Sequence, residues 1–244
     1  VEVKFTHLNK GDADHASIAA ASIKLLNYAD IDPLILDMNI FKCSGHDQLW
    51  QGQLEVFDAL KEHNMRRLKE SGIKIMTCSC AECYRTFAVD YDLPGTLGIK
   101  VEHITQTLQG RGLKFKAPEG VTVAYHDPCR LGRMMGEYEA PRDLIQLVDG
   151  ATMVELENNK ERALCCGVSS MMYCNDATKA VRRKRLDQGT DAGIDLMLGG
   201  CPKCYMHMQC MLNEERMNPD EGHHHDYEMM DLMQFLVACL EEEN

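Results

Sequence analysis

The chain has 244 residues, is 45% hydrophobic and carries a formal net charge of −12, which allows one large domain or two small ones with real cores and argues against a phosphate-backbone partner. No run approaches the roughly 20 continuous apolar residues of a membrane helix, and Val1-Glu2-Val3-Lys4-Phe5 lacks the regions of a secretory signal, so the chain reads as soluble and cytoplasmic. Twelve cysteines are too sparse for a small disulfide scaffold and, without an export signal, favour metal or redox chemistry.

A strand is expected over 3–7, ending in a loop with His7; its start at Val1 without Met suggests a processed or renumbered chain, or a piece of something longer. Apolar residues at three- and four-residue spacing predict helices over 16–28 and 51–71. Between them come a second apolar strand and a loop with Cys43 and Gly45. A third strand follows Gly72 and leads into Cys78, Cys80 and Cys83, and a segment over 101–108 closes the half. The same order then returns: a strand over 121–126, Cys129, Cys165-Cys166-Gly167, a helix over 176–189, a strand after Gly193, Cys201-Pro202-Lys203-Cys204 and a closing segment over 227–236. From Gly72 to Tyr84 and from Gly193 to Tyr205, the glycine, the apolar strand and C-x-x-C-Tyr coincide at a constant offset of 121 residues, the mark of internal duplication. Strands alternating with helices imply an α/β fold of two tandem pseudo-repeat domains, 1–115 and 116–244, each a small parallel sheet flanked by helices. In such sheets the sites lie in loops at the carboxyl ends of the strands.

Cys129, Cys165, Cys166, Cys201 and Cys204 each follow a predicted strand. Soft thiolates suit zinc or an iron-sulfur cluster, and C-x-x-C lets two sulfurs grip one centre from a single loop. Adjacent cysteines point to opposite sides of an extended chain, so both bind only where the backbone bends, as Gly167 permits. Four thiolates suffice for zinc or a cubane cluster, and a fifth implies something unusual. Superposing the halves sets Lys10 near the place of Cys129 and Lys42 opposite Cys165, so the first half lacks a five-thiolate set. Cys43, Cys78, Cys80 and Cys83 either hold a zinc or cubane site of their own, against the strained bite of C-x-C-x-x-C, or pack as small hydrophobes. Packing is also the reading for Cys174, Cys210 and Cys239.

The run Tyr125-His126-Asp127-Pro128-Cys129-Arg130-Leu131-Gly132-Arg133, the Cys165-Cys166-Gly167 triplet and Cys201-Pro202-Lys203-Cys204 resemble the CCG, or cysteine-rich, domain of heterodisulfide reductase catalytic subunits. Related proteins include iron-sulfur subunits of glycolate and lactate oxidation systems and the heterodisulfide-reductase-like subunit of the sulfate reducers' membrane complex. The resemblance spans nearly the whole chain as a tandem pair. It implies that Cys129, Cys165, Cys166, Cys201 and Cys204 hold one noncubane [4Fe-4S] cluster at which a disulfide or related sulfur species is reduced by single electrons. The reaction would belong to a larger complex with ferredoxin-like, flavin or haem carriers, attached to the cytoplasmic face of a membrane only through partners. No C-x-x-C-x-x-C-x-x-x-C-Pro run occurs, so electrons are expected from another subunit or from an N-terminal segment outside this sequence. The rival readings are an iron-sulfur subunit passing electrons from glycolate or lactate oxidation towards quinone, and a zinc-binding structural module.

His126, matched by His7, titrates near neutrality in its ordinary state and either relays protons to a leaving thiolate or is tied to backbone. Arg130, Arg133 and Lys203 either offset cluster charge and attract an anionic partner or are ordinary surface charge. Asp127-Pro128 fixes the bend before Cys129. Arg182-Arg183-Lys184-Arg185 reads as a solvated helix face, and His223-His224-His225 as a solvated loop.

Overall fold

The computed structural model of the chain describes residues 15–35, 40–168, 174–218 and 224–240. The expected strand over 3–7, with His7 and Lys10, lies outside them, as does His223. The first half runs through helices α1 (His15–Tyr28), α2 (His46–Trp50) and α3 (Leu54–Ser71), strand β1 (Ile75–Cys78), helices α4 (Ala81–Arg85) and α5 (Leu93–Leu97), strand β2 (Lys100–His103) and helix α6 (Ile104–Leu108). The second half continues with β3 (Phe115–His126), α7 (Gly132–Met135), α8 (Glu139–Gln146), β4 (Val148–Val154), α9 (Asp176–Asp191), β5 (Leu196–Gly199), α10 (Pro202–Met217), β6 (Glu228–Asp231) and α11 (Leu232–Ala238).

All named strand pairs are parallel. β1 and β2 form one sheet, and β4-β3-β5-β6 form the other. The expected α/β class with helix-flanked parallel sheets is therefore present. Parallel strands buried on both faces read as unbroken apolar runs, and β5, Leu-Met-Leu-Gly, is buried at every position. The repeat holds in three dimensions. β1 and β5 stand at the 121-residue offset, and Cys78 pairs with His103 as Gly199 pairs with Asp231. His103 and Asp231 then cap α6 and α11 with their side chains, satisfying amide groups that the first helical turn leaves open.

Two expectations need correction. The helix predicted over 51–71 starts three residues later: the short α2 ends at Trp50, the chain turns at Gly52 with φ 75°, and α3 runs from Leu54 to Ser71. The loop alignment also moves by one residue. Gly45 and Gly167 share φ 77°, and Ser44 accepts a hydrogen bond from the Cys83 sulfur at 3.4 Å, as Cys166 accepts one from Cys204. Ser44 thus matches Cys166, and Cys43 rather than Lys42 matches Cys165.

Each hydrophobic cluster draws on both halves. One joins Phe57, Leu68, Tyr84 and Phe87 to Met197, Tyr205 and Met208. The other sets Leu25 and Leu26 of α1 against Leu232, Phe235 and Leu236 of α11. A buried polar contact adds to them: His103 Nε2 meets the Gly200 carbonyl at 3.2 Å, with Nδ1 2.8 Å from Thr105 Oγ1.

Burial pushes His103 down from 6.5 to about 4, so the folded protein holds it neutral. A base whose folded pKa is depressed stabilises the fold above its unfolded value, and that stability is lost as pH falls. Urea midpoints measured from pH 7 to 4 should drop between about 6.5 and 4, and less steeply in His103→Asn. Equal slopes in the two proteins would assign the acid sensitivity to other groups.

Candidate metal centre

The cysteine loops meet because parallel strands deliver them to one sheet edge. At the end of β3, the buried Asp127 accepts hydrogen bonds from Arg142 Nη1 at 2.7 Å and Nη2 at 3.0 Å, and from the Lys160 amide at 2.9 Å. A bidentate, charge-assisted pair away from water is strong and directional, and it anchors the turn that carries Cys129. After β5, Cys201 occupies the N-cap of α10 and Cys204 its first turn. Cys80 and Cys83 repeat this on α4. Gly167 bends the Cys165-Cys166 loop at φ 77°, and a Cβ there would lie 2.6 Å from the Thr178 carbonyl oxygen, so neither strain nor space admits a side chain.

All five expected cysteines line one cavity of about 100 Å³, together with Pro128, Arg130, Val168, Lys203 and, from the first half, Glu82. One water needs only about 10–15 Å³ measured this way, so the space accepts a polynuclear group. His126 belongs to the same constellation, with a ring nitrogen and the Cys166 and Cys204 sulfurs all within 4.8 Å of one another. Its Nδ1 accepts from Arg185 Nε at 3.0 Å, which leaves Nε2 to carry the proton and donate it to the Cys166 sulfur. Burial holds His126 below its ordinary value. At 1% exposure it has no direct route to solvent.

The thiols alone do not balance. Cys166 is held well below the ordinary thiol range by hydrogen bonds from Cys165 and Cys204, with His126 adding to them. Those same contacts push Cys165 and Cys204 upwards, and burial pushes Cys129 the same way. Burial and mutual repulsion oppose five thiolates in one pocket, so ligation by all five requires a positively charged centre.

The surrounding protein calls for negative charge here. The run Arg182-Arg183-Lys184-Arg185, expected as a solvated face, is split by the period of α9. Arg182 and Arg185 are 1% and 0% exposed, while Lys184 faces out. Among the described residues neither buried guanidinium makes an ion pair, and Arg182 Nε and Arg185 Nη2 have no hydrogen-bond partner. Burial lowers Arg185 to about 10. Asp127, the first of the acidic groups that support it electrostatically, is already paired with Arg142. Two buried cations of this kind cost several kcal/mol unless an anion faces them, and a cluster ligated by five thiolates supplies one. The donor set and its surroundings therefore fit an iron-sulfur group.

The first half closes the site. Lys203 Nζ bonds to Asp47 and, at 2.9 Å, to Glu82, so its charge is largely neutralised, contrary to the expectation of a cation free to attract a partner. Arg130 stacks over Trp50, with Cζ 3.7 Å from the ring centroid. Cys80 lies against Cys201 and Cys83, with Cys78 beside it, whereas Cys43 is exposed. Cys239 packs in the core as expected. Cys174 and Cys210 are exposed and do not. In the histidine run, His225 is buried between Glu215 at 2.6 Å and Asp187 at 3.1 Å, where a solvated loop was expected. Sequence reasoning missed Arg182, Arg185, His207, Glu82 and Trp50. The i, i+3 spacing of Arg182 and Arg185 with Gln188 and Gly189 on one face of α9 was the one signal available.

Gly167→Ala should cost on the order of 2 kcal/mol through a strained positive φ and, by misplacing Cys165 and Cys166, remove bound metal while the helices persist. Metal content set beside circular dichroism of the purified variant checks this, and full metal loading would contradict the geometry.

A family model described as the cysteine-rich domain, CCG, matches residues 10–88 and 123–209. The chain is 31% identical over 213 residues, 83% of its length and 52% of the relative's, to a subunit of the dihydromethanophenazine:CoB–CoM heterodisulfide reductase of Methanosarcina barkeri. It is 29% identical over 202 residues to the probable iron-sulfur-binding oxidoreductase FadF of Bacillus subtilis, and 27% over 207 residues to the EtfAB:quinone oxidoreductase of Syntrophomonas wolfei, covering 80% and 79% of itself and 28% of each relative. The chain thus spans about half of the first relative and less of the other two. With two matched copies on the two halves of one fold, and the five-cysteine set in the second, this chain belongs to the CCG cysteine-rich domain family.

Proposed function

We propose that this chain is an iron-sulfur redox subunit that reduces a disulfide or related sulfur substrate, with Cys129, Cys165, Cys166, Cys201 and Cys204 holding one noncubane [4Fe-4S] cluster. The observation that carries the reading is the convergence of these five cysteines on one cavity beside two buried guanidinium groups that make no ion pair among the described residues. The relation to the Methanosarcina heterodisulfide reductase supports the substrate class. Relatives named as subunits support function within a larger assembly, with other redox subunits as electron donors. No helix among the described residues is long and apolar enough to cross a membrane; attachment at the cytoplasmic face through partners is part of this proposal.

The cluster, when bound, supplies the single electrons. The chain's residues supply ligation, substrate contact and protons. Reducing a disulfide takes up two electrons and two protons, and Glu82, lining the cavity and 3.4 Å from His46 Nε2, is within reach to deliver protons from the first half. Arg130, held flat against Trp50, offers a planar donor to an anionic group of the substrate. His126 acts on the Cys166 ligand from the buried side, as a hydrogen-bond donor, with any part in proton transfer passing through that sulfur.

The likeness to an EtfAB:quinone oxidoreductase favours a second reading, in which the same centre passes electrons towards quinone. Protein purified without oxygen should contain about four iron and four acid-labile sulfide per chain, with broad visible absorption and an EPR signal after one-electron oxidation or reduction. Zinc without sulfide would overturn both readings in favour of a structural module. An added disulfide should reoxidise the reduced protein in the first reading, and a quinone analogue alone should do so in the second. Cys165→Ser and Cys166→Ser should each abolish the EPR signal, and an unchanged spectrum would exclude ligation by five cysteines.

A further inference from the structure

Behind Cys166 stand two arginine–histidine pairs. Arg185 Nε donates to His126 Nδ1 at 3.0 Å, and His126 faces the Cys166 sulfur. Arg182 Nη2 lies 3.1 Å from His207 Nδ1, and the His207 ring also feels the charge of Cys166. Arg185 is further fixed by the Asn158 carbonyl at 2.6 Å and Gln188 Oε1 at 2.8 Å. The guanidinium is thus aimed, and Nη2 is left without a partner.

The duplicated half serves as an internal control. At the 121-residue offset, Asn64 stands for Arg185 and Thr86 for His207, and Ser44 matches Cys166. Asn64 is as buried as Arg185, at 0% exposure, but it is neutral and bonds to the backbone of Lys42 and Cys43 and to Tyr91 Oη. Thr86 bonds to His46. Lys61, in the place of Arg182, reaches out to the Asp90 carbonyl. The half without five thiolates has no buried cation at these positions. The half that has them carries two. The cations therefore follow the sulfur site and not the fold, which both halves share.

We propose that the Arg185–His126 and Arg182–His207 pairs are positioning residues that set the reduction potential of the centre through Cys166, an inference that rests on reading the cysteine cavity as a cluster site. A buried positive charge favours the more negative, reduced state, and a hydrogen bond to a ligand sulfur acts in the same direction. Arg185 does both, since its bond to Nδ1 sets the histidine tautomer that donates to sulfur.

EPR-monitored redox titration of the full chain, purified without oxygen, tests this. Arg185→Gln should shift the midpoint negative by at least the equivalent of a tenfold change in the oxidised-to-reduced ratio, about 59 mV for one electron. Arg185→Lys, which keeps the charge but loses the planar donor, should shift it by less, and Lys184→Gln on the outer face of α9 should leave it unchanged. Where Arg185→Gln fails to accumulate the cluster, Arg185→Lys and Arg182→Gln carry the test. Unshifted midpoints in arginine variants with normal iron and sulfide content overturn the inference alone, whereas zinc without sulfide in the parent protein overturns the functional reading beneath it.

Discussion

A guanidinium taken out of water with no carboxylate beside it persists only where negative charge is supplied in another form. Arg182 and Arg185 meet that condition beneath Cys166, and much of the second half is arranged around it. α9 turns Arg182 and Arg185 inward, Asn158 and Gln188 fix the orientation of one guanidinium, and His126 stands between Arg185 and the Cys166 sulfur. Asp127 lends Arg185 some support, but both of its oxygens are engaged by Arg142. The iron-sulfur reading supplies the missing negative charge as thiolates gathered on a metal group.

The duplicated backbone has been filled twice with different chemistry. Both halves end a parallel strand in C-x-x-C at the start of a helix, and both turn the preceding loop with glycine at φ 77°. Where the second half presents cysteine, arginine and histidine, the first presents serine, asparagine and threonine, which bond to one another's neighbourhood and need no ion. The first half contributes instead to the wall and rim of the other half's cavity. Glu82 lines it, Asp47 holds Lys203, and Trp50 supports Arg130.

Much of this was legible in the chain because it is periodic or local. Helices α1 and α9 follow from apolar spacing, and the constant offset between Gly72 and Gly193 exposed the repeat. The five cysteines stood out because strand ends place them together in any open parallel sheet. What stayed hidden depends on tertiary orientation. A run of four basic residues gives no indication of which two face inward until α9 is docked. Lys203 looks like a free cation until Asp47 and Glu82, more than a hundred residues earlier, are brought beside it. The match of Ser44 to Cys166 required backbone angles, since residue identity at the loop favoured Cys43. The start of α3 was set three residues early, since the turn at Gly52 shows only in its positive φ.

The hydrophobic clusters ignore the repeat that the sequence records so plainly. α1 packs against α11 at the far end of the chain, and Met197 of β5 shares a cluster with phenylalanines of the first half. The repeat is therefore a unit of inheritance, while the unit of packing is the pair. Loosening the half that lacks the five-cysteine set also strips water-excluding walls from the half that has it, so chain regions outside that set still govern how far solvent reaches its cavity.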